Sequence, residues 1–320
     1  MLLYDDGLFL LKNRLGIDVR RPLPNAFVSH AHFDHMAKHQ LAFCTPETAR
    51  LYQHRIGDRP VRRLPFEQPT EYAGVTLTTF PAGHMLGSAM LLVEQDGKRL
   101  LYTGDFQLTP SATSREAIVP EVDYLVMEST FGRPQFAFPD RTATVQRLIS
   151  TVRSVLLRGN VPVIEAYVAG KAQEVTRLLA SAEIPVTQHP EVFAISEVYS
   201  ELGQDLGDYR LYESAPVPGA ALIVPPSQQR ASSIGEIHRQ ERIAITGWAM
   251  QDDEARRRKV QHVIPLSDHA DYNELLQLVE MADPDKIFCV HGPREFCDDL
   301  KSRGHDATFL HRDSAYCPLQ

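Results

Sequence analysis

Short apolar runs that end in Gly, Asp or His alternate along this chain with longer stretches of helical periodicity. Ala26-Phe27-Val28, Val75-Thr76-Leu77-Thr78-Thr79, Leu91-Leu92-Val93, Leu100-Leu101-Tyr102, Tyr124-Leu125-Val126-Met127 and Ile287-Phe288-Cys289-Val290 read as strands. Asp96-Gly97, between the third and fourth of these, reads as a tight hairpin turn. In the middle of the chain Val145, Leu148, Ile149, Val152, Val155 and Leu156 keep helical spacing, and Gly159 stops that helix. A strand over Val161-Pro162-Val163-Ile164-Glu165-Ala166 follows, then a helix from Lys171 through Leu179, the run Ile184-Pro185-Val186 and a helix near Val192 to Leu202. Tyr209-Arg210-Leu211-Tyr212, Ala221-Leu222-Ile223-Val224 and Arg242-Ile243-Ala244-Ile245-Thr246 complete the alternation, which predicts a small parallel α/β domain.

The chemistry collects at the ends of the outer strands. Ser29-His30-Ala31-His32-Phe33-Asp34-His35 follows Ala26-Phe27-Val28 directly, placing four potential metal ligands within six residues. Alternate side chains at a strand end point the same way, so His30 and His32 can grip one ion. Asp34 and His35, beyond the strand, can turn towards a second. Imidazole and carboxylate donors together suit zinc or a neighbouring transition metal. Downstream, His84 lies in the Gly-rich loop Ala82-Gly83-His84-Met85-Leu86-Gly87, and Asp105 follows Tyr102-Thr103-Gly104. The two oxygens of Asp105 could bridge two cations at the short separation used in two-metal hydrolysis.

With these motifs in order, the chain resembles the metallo-β-lactamase superfamily of dinuclear hydrolases. The resemblance implies that His30, His32 and His84 hold one metal, that Asp34 and His35 hold the other, and that Asp105 bridges. It implies two zinc ions with a water or hydroxide between them; manganese or iron would tolerate the same donors. These ligands define a mechanism and leave the substrate open.

Three later motifs narrow it. Tyr124 to Met127 ends in the carboxylate Glu128, Ser267-Asp268-His269-Ala270-Asp271 marks a strand-to-helix junction, and Ile287 to Val290 ends in His291-Gly292-Pro293. They resemble the extra motifs of the β-CASP group, the nucleic-acid-processing branch of the superfamily. By that resemblance His291 completes the second metal site, and Glu128 orients or charges His269, which protonates the leaving oxygen of a cleaved phosphodiester. Asp34 joins these two as a catalytic residue. Without the resemblance, His269 is a helix N-terminal residue with Ser267 or Asp268 as its cap. The inserted α/β segment stands where the group carries its cap domain. Ala169-Gly170-Lys171-Ala172-Gln173-Glu174 is similar to a helix start of that cap, where Lys171 would seat a phosphate. The shortness of the cap, Ile245 to Met250, the basic run Arg256-Arg257-Arg258-Lys259 and Ser267 to Asp271 look most like a compact bacterial subgroup, the exonucleases associated with DNA ligase. His at position 291 is instead the choice of the RNA-processing branch, where the vertebrate DNA-repair branch carries an apolar residue.

The 320 residues suffice for two domains, and no apolar segment approaches a membrane span. Asp5 and Asp6 stand where a secretory signal needs a basic region, and Cys44, Cys289, Cys297 and Cys317 form no Cys-x-x-Cys pair, so a reduced cytoplasm is expected. A net charge of −8 runs against a general nucleic-acid binder, whose surface is usually basic. Bound cations would offset it locally; Arg256 to Lys259, and Arg55, Arg59, Arg62 and Arg63, are candidate basic patches, and Lys171 with the Arg256 to Lys259 run would line a substrate groove.

The expected architecture is a four-layer αββα metallo-β-lactamase sandwich from residues 1–133 and 251–320, with a compact parallel α/β cap over 134–250. A cleft between them would hold the metals and thread a single strand. The expected activity is a metal-dependent nuclease, foremost an exonuclease on single-stranded DNA ends in repair, with a DNA ligase or helicase as possible partner and no membrane role. The alternatives are an RNA-processing endo- or exoribonuclease and a small-molecule hydrolase of the superfamily. Intact ligands at all seven metal positions argue against a non-catalytic scaffold.

Overall fold

The computed structural model describes residues 1–4, 7–226 and 232–310; Asp5, Asp6 and Cys317 fall outside them. The chain forms two compact units. One comprises Met1–Pro110, Ser114–Pro134 and His269–Gln320, the other Ser111–Thr113 and Gln135–Asp268.

The first unit opens with a six-stranded sheet in chain order: β1 (Leu2–Tyr4), β2 (Leu8–Leu10), β3 (Gly16–Ile17), β4 (Asn25–Phe27), β5 (Leu41–Cys44) and β6 (Val61–Arg63). Helix α1 (Pro46–Ile56) packs against β6; Thr45 caps it, its side chain accepting from the Thr48 N–H at 3.1 Å. A second sheet begins with β7 (Thr70–Tyr72), β8 (Val75–Pro81), β9 (Ala89–Gln95), β10 (Lys98–Tyr102) and β11 (Tyr124–Glu128). At the β9–β10 hairpin Asp96 and Gly97 take φ of 52° and 76°, the left-handed pair that a tight two-residue turn requires.

The second unit is an all-parallel sheet flanked by helices. Its elements are α2 (Arg141–Leu157), β12 (Val161–Glu165), α3 (Lys171–Ser181), β13 (Val186–Gln188), α4 (Pro190–Glu201), β14 (Tyr209–Leu211), β15 (Ala221–Val224), α5 (Ser232–Gly235), β16 (Gln240–Ile245), α6 (Glu254–Arg258) and β17 (His262–Ile264). The strand order is β14-β13-β15-β12-β16-β17. Ile164, Ile243 and Ile245 pack with Leu148, Val152 and Val175 of α2 and α3, whereas Val163, Leu222 and Val224 face Ile234. Helix α2 begins before its apolar pattern does, because Asp140 caps it by accepting from the Ala143 N–H at 2.8 Å.

A boundary expected at residue 250 lies further on. β17 pairs in parallel with β16, Ile264 opposite Ile245, which keeps residues 251–268 in the second unit. The chain re-enters the first unit at His269. There α7 (Tyr272–Ala282), β18 (Lys286–Val290), α8 (Arg294–Ser302) and β19 (Ala307–Phe309) complete the second sheet in the order β19-β18-β11-β10-β9-β8-β7.

Period-two alternation in that sheet builds the four layers. Leu91, Val93, Leu100, Tyr102, Val126, Phe288 and Val290 point into the core between the sheets, meeting Leu10, Phe27 and Phe43 of the first. Their neighbours Met90, Leu92, Leu101, Leu125, Met127, Ile287 and Cys289 point the other way onto Leu275, Leu278, Phe296 and Leu300 of α7 and α8. Each large apolar side chain buried here contributes about 1.5–3 kcal/mol. The result is the αββα sandwich expected from the sequence. Cys44, Cys289 and Cys297 are buried free thiols inside it, and among the described residues no helix is long and apolar enough to cross a membrane.

Candidate metal centre

Four loops at strand ends of the first unit bring the candidate ligands together, and the end of a fifth strand adds Glu128. The Ser29–His35 loop leaves β4 and is tied to its neighbours at once: the Val28 N–H donates to the Phe43 carbonyl at 2.9 Å, and the Ala89 N–H to the Ser29 carbonyl at 2.9 Å. His84 sits on the loop after β8. That loop closes on itself through Ala82 N–H to Ser88 O and Ser88 N–H to Met85 O, at 3.1 and 3.0 Å. Gly83 is obligatory there: its φ is 80°, and a Cβ would stand 2.0 Å from the Gln107 carbonyl oxygen. Asp105 follows β10, Glu128 ends β11, and His291 follows β18. Gly292 lets the last loop press against β11, since a Cβ at that position would lie 2.0 Å from the Ser129 carbonyl oxygen.

His30, His32, His84 and Asp105 each offer one ligand atom, all within 4.8 Å of one another. His32 Nδ1 lies 3.0 Å from His30 Nε2 and 3.2 Å from His84 Nε2, and Asp105 Oδ2 lies 3.5 and 4.0 Å from His30 Nε2 and His84 Nε2. A tetrahedral ion with donors at about 2.0–2.1 Å sets them about 3.3–3.4 Å apart, so this quartet fits one zinc-like cation. Asp105 Oδ2 also lies 3.2 Å from His35 Nε2, which in turn is 3.9 Å from Asp34 Oδ2. The His291 ring is centred 5.8 Å from that of His35. His35 is buried, whereas the Asp34 side chain is 63% exposed, so this second group is more open than the first.

Outer hydrogen bonds set the tautomers. The Ser29 hydroxyl gives its proton to Asp18 Oδ2, which as a carboxylate only accepts. His30 Nδ1, 3.0 Å from the same hydroxyl, must therefore donate to it, leaving His30 Nε2 with a lone pair towards His32 and Asp105. Asp18 Oδ2 accepts also from Tyr102 OH and His35 Nδ1, both at 2.8 Å, which turns His35 Nε2 towards Asp105. Burial, with His35 and His84 close by, holds His30 well below the ordinary histidine range and so neutral. Burial would lower His35 too, but Asp105 and Asp18 outweigh it and raise its pKa well above the ordinary value. Asp105, despite burial, is held well below the carboxylate range by His35 and His269. A carboxylate that strongly prefers its charged form amid imidazoles is the donor set a cation needs.

Asp18 carries no sequence signal beyond its place after the short strand β3, and it was not among the expected residues. Asp18→Asn should weaken metal binding by about 10–100-fold, because an amide orients His35 less firmly and accepts less strongly. Metal titration by calorimetry checks this; unchanged affinity would assign Asp18 to the fold alone.

Glu128 is buried and fully engaged. Its Oε1 accepts from His269 Nδ1 at 2.9 Å and the Phe106 N–H at 3.2 Å, and its Oε2 from the Thr130 N–H and hydroxyl at 3.2 and 2.5 Å. His269 Nε2 is consequently directed at the ligand cluster, 3.9 Å from Asp105 Oδ2. The cap of α7 is Asp271, not Ser267 or Asp268: it accepts from the Glu274 N–H at 2.8 Å, while Glu274 accepts from the Asp271 N–H. His269 thus precedes the helix and is held by Glu128 rather than by helix geometry.

The expected phosphate residues of the second unit are placed differently. Lys171 is buried, its Nζ 3.2 Å from Glu174 Oε2 and 3.7 Å from Asp268 Oδ1. Glu174 further accepts from Ser111 Oγ at 2.8 Å and from Arg141. The expectation that Lys171 lines a substrate groove is therefore corrected: two buried carboxylates neutralise it. The helix start beside it is already capped by Gln173, whose side chain accepts from the Gly170 N–H at 2.9 Å. In α6 Arg257 and Arg258 pair with Glu254, at 3.1 and 2.5 Å, while Arg256 and Lys259 are exposed. Of the other basic patch, Arg62 and Arg63 are exposed and Arg55 and Arg59 half-buried.

Convergent imidazoles and a buried carboxylate at the strand ends of an αββα sandwich define a metal-dependent hydrolase scaffold. Residues 12–157 match the model of the β-lactamase superfamily domain, and residues 255–312 match that of the Zn-dependent metallo-hydrolase RNA specificity domain. The chain is 35% identical, over 97% of its length, to a protein of Opitutus terrae named probable DNA ligase, and covers 31% of that protein. It is 27% identical to the 5′ exonuclease Apollo of Gallus gallus, over 81% of this chain and 56% of Apollo. It is 29% identical to an RNase J-like protein of Methanocaldococcus jannaschii, over 48% of this chain and 42% of that protein. A protein of unknown function from Enterococcus faecalis shares the fold, with a TM-score of 0.62 at 15% identity over 90% of this chain and 79% of its own. The chain belongs to the metallo-β-lactamase superfamily and, within it, to the β-CASP group.

Proposed function

We propose that this chain is a dinuclear metal-dependent nuclease that hydrolyses phosphodiester bonds, acting as an exonuclease on single-stranded DNA ends. The observation that carries the reading is the Glu128–His269 pair, whose imidazole Nε2 stands 3.9 Å from the carboxylate shared by both ligand groups. His30, His32 and His84 would hold one ion, Asp34, His35 and His291 the other, and Asp105 both. Bound zinc, or manganese in its place, would generate the nucleophile from water and neutralise charge on the phosphate. His269 would then give its Nε2 proton to the departing sugar oxygen, with Glu128 holding the ring and stabilising its protonated form. A small ester with a good leaving group has no use for such a proton donor, which weighs against a small-molecule hydrolase.

Residues of the second unit, 135–268, would act as a cap that contributes to substrate selection. The similarity to a protein named probable DNA ligase supports DNA as substrate and a DNA ligase as partner; a helicase as further partner, a place in repair and a cytoplasmic location belong to the same proposal. A second reading, RNA processing, is favoured by the match of residues 255–312 to an RNA specificity domain. Cleavage of 5′- and 3′-labelled single-stranded DNA and matched RNA, with zinc or manganese, separates the two. Stepwise shortening of DNA, absent from a His32→Ala/Asp34→Ala control, is the expected result. Preference for RNA or internal cutting would favour the second reading, and inert metal-loaded protein would overturn both.

A further inference from the structure

Phe33 stands between two candidate ligands, His32 and Asp34, yet its side chain does not join the core. It is 61% exposed, more than any other described phenylalanine, tyrosine or tryptophan. The ring is nevertheless held in place. The Arg55 guanidinium lies 4.0 Å from its centroid, and Arg55 also donates to the Ala31 carbonyl, fastening the ligand-bearing loop to the last turn of α1. The His35 N–H donates to the His32 carbonyl at 3.1 Å and closes the turn on which Phe33 sits.

We propose that Phe33, backed by Arg55, is a stacking platform for a nucleobase of the substrate strand next to the reacting phosphate; this rests on the nuclease reading above. A ring already ordered by a guanidinium on one side gives up little conformational freedom when a base settles against its remaining surface. Stacking on a π-face is tolerant of base identity, as end-wise degradation of any sequence requires. It also supplies affinity that does not depend on charge, which matters for a chain of net charge −8 binding a polyanion. The competing role, a ring that merely steadies Arg55 and the loop, would involve no nucleobase and so give the same abasic penalty with phenylalanine or leucine at this position.

The test is steady-state cleavage of single-stranded oligonucleotides, intact or with one abasic position stepped through the residues flanking the cut, by wild type, Phe33→Leu and Phe33→Trp, with metal content measured on each. Phe33→Leu should raise KM on the intact strand about ten-fold, most of the effect falling in KM rather than kcat, with metal content retained. Phe33→Trp should keep the wild-type KM or lower it. One abasic position should raise the wild-type KM by a similar factor and leave that of Phe33→Leu unmoved. Equal KM for Phe33→Leu and wild type, equal abasic penalties in both, or loss of metal from Phe33→Leu would each overturn the platform while leaving the nuclease reading intact. A wild-type protein that cleaves no strand at all would overturn both.

Discussion

His269→Ala should lower kcat on nucleic acid by about two to four orders of magnitude while the protein keeps its metal, the loss typical of removing a positioned general acid. The reason is geometric. Glu128 accepts the Nδ1 proton, so the nitrogen turned to the ligand cluster is Nε2, 3.9 Å from Asp105. The leaving group provides the sharper check. A 4-nitrophenyl ester of a nucleotide departs without a proton, so His269→Ala should lose far less activity on that ester than on a natural strand. Equal losses on both substrates, or loss of metal on elemental analysis, would make His269 a ligand rather than a proton donor.

Asp105→Ala should be more damaging still. Asp105 Oδ2 lies within 4.0 Å of ring nitrogens of His30, His35, His84 and His269, and no other described carboxylate stands among all four. Removing it leaves imidazoles facing one another without the anion that balances a cation. Metal affinity should fall by more than the roughly 10–100-fold that an outer partner such as Asp18 supplies, and cleavage should fall below detection. Asp105→Asn keeps the side-chain volume and should fail in the same way, which separates charge from packing. Either variant retaining full metal content and turnover would remove Asp105 from the centre.

Much of the site is legible in the amino-acid sequence because its signal is local. His30, His32, Asp34 and His35 share one turn after one strand, and their spacing alone presents them together. Continuous apolar runs in β9, β10, β11 and β18 likewise announce strands buried on both faces. The strand–helix rhythm of residues 141–264 announces a parallel sheet.

Other parts depend on distance in the fold. Lys171 reads as a cation free to meet phosphate; the structure pairs it with Glu174, one turn along the same helix, and with Asp268, nearly a hundred positions away in the chain. The domain boundary falls beyond residue 250 because a three-residue strand, β17, carries almost no pattern of its own and is fixed only by pairing with β16. Asp18 looks like any turn residue until Ser29, His35 and Tyr102 converge on it.

The sequence by itself therefore determined the kind of chemistry: which donors exist, that they follow strands, and, through the family its motifs resemble, that the scaffold is a layered α/β sandwich. Tertiary structure decided which nitrogen of His30, His32, His35, His84 and His269 faces the centre, and which charges are already neutralised. The division has a physical cause. Side-chain periodicity and turn preference act over a few residues, whereas tautomers, burial and ion pairing depend on groups brought together by folding, as with Glu128 and His269 across 141 positions of chain.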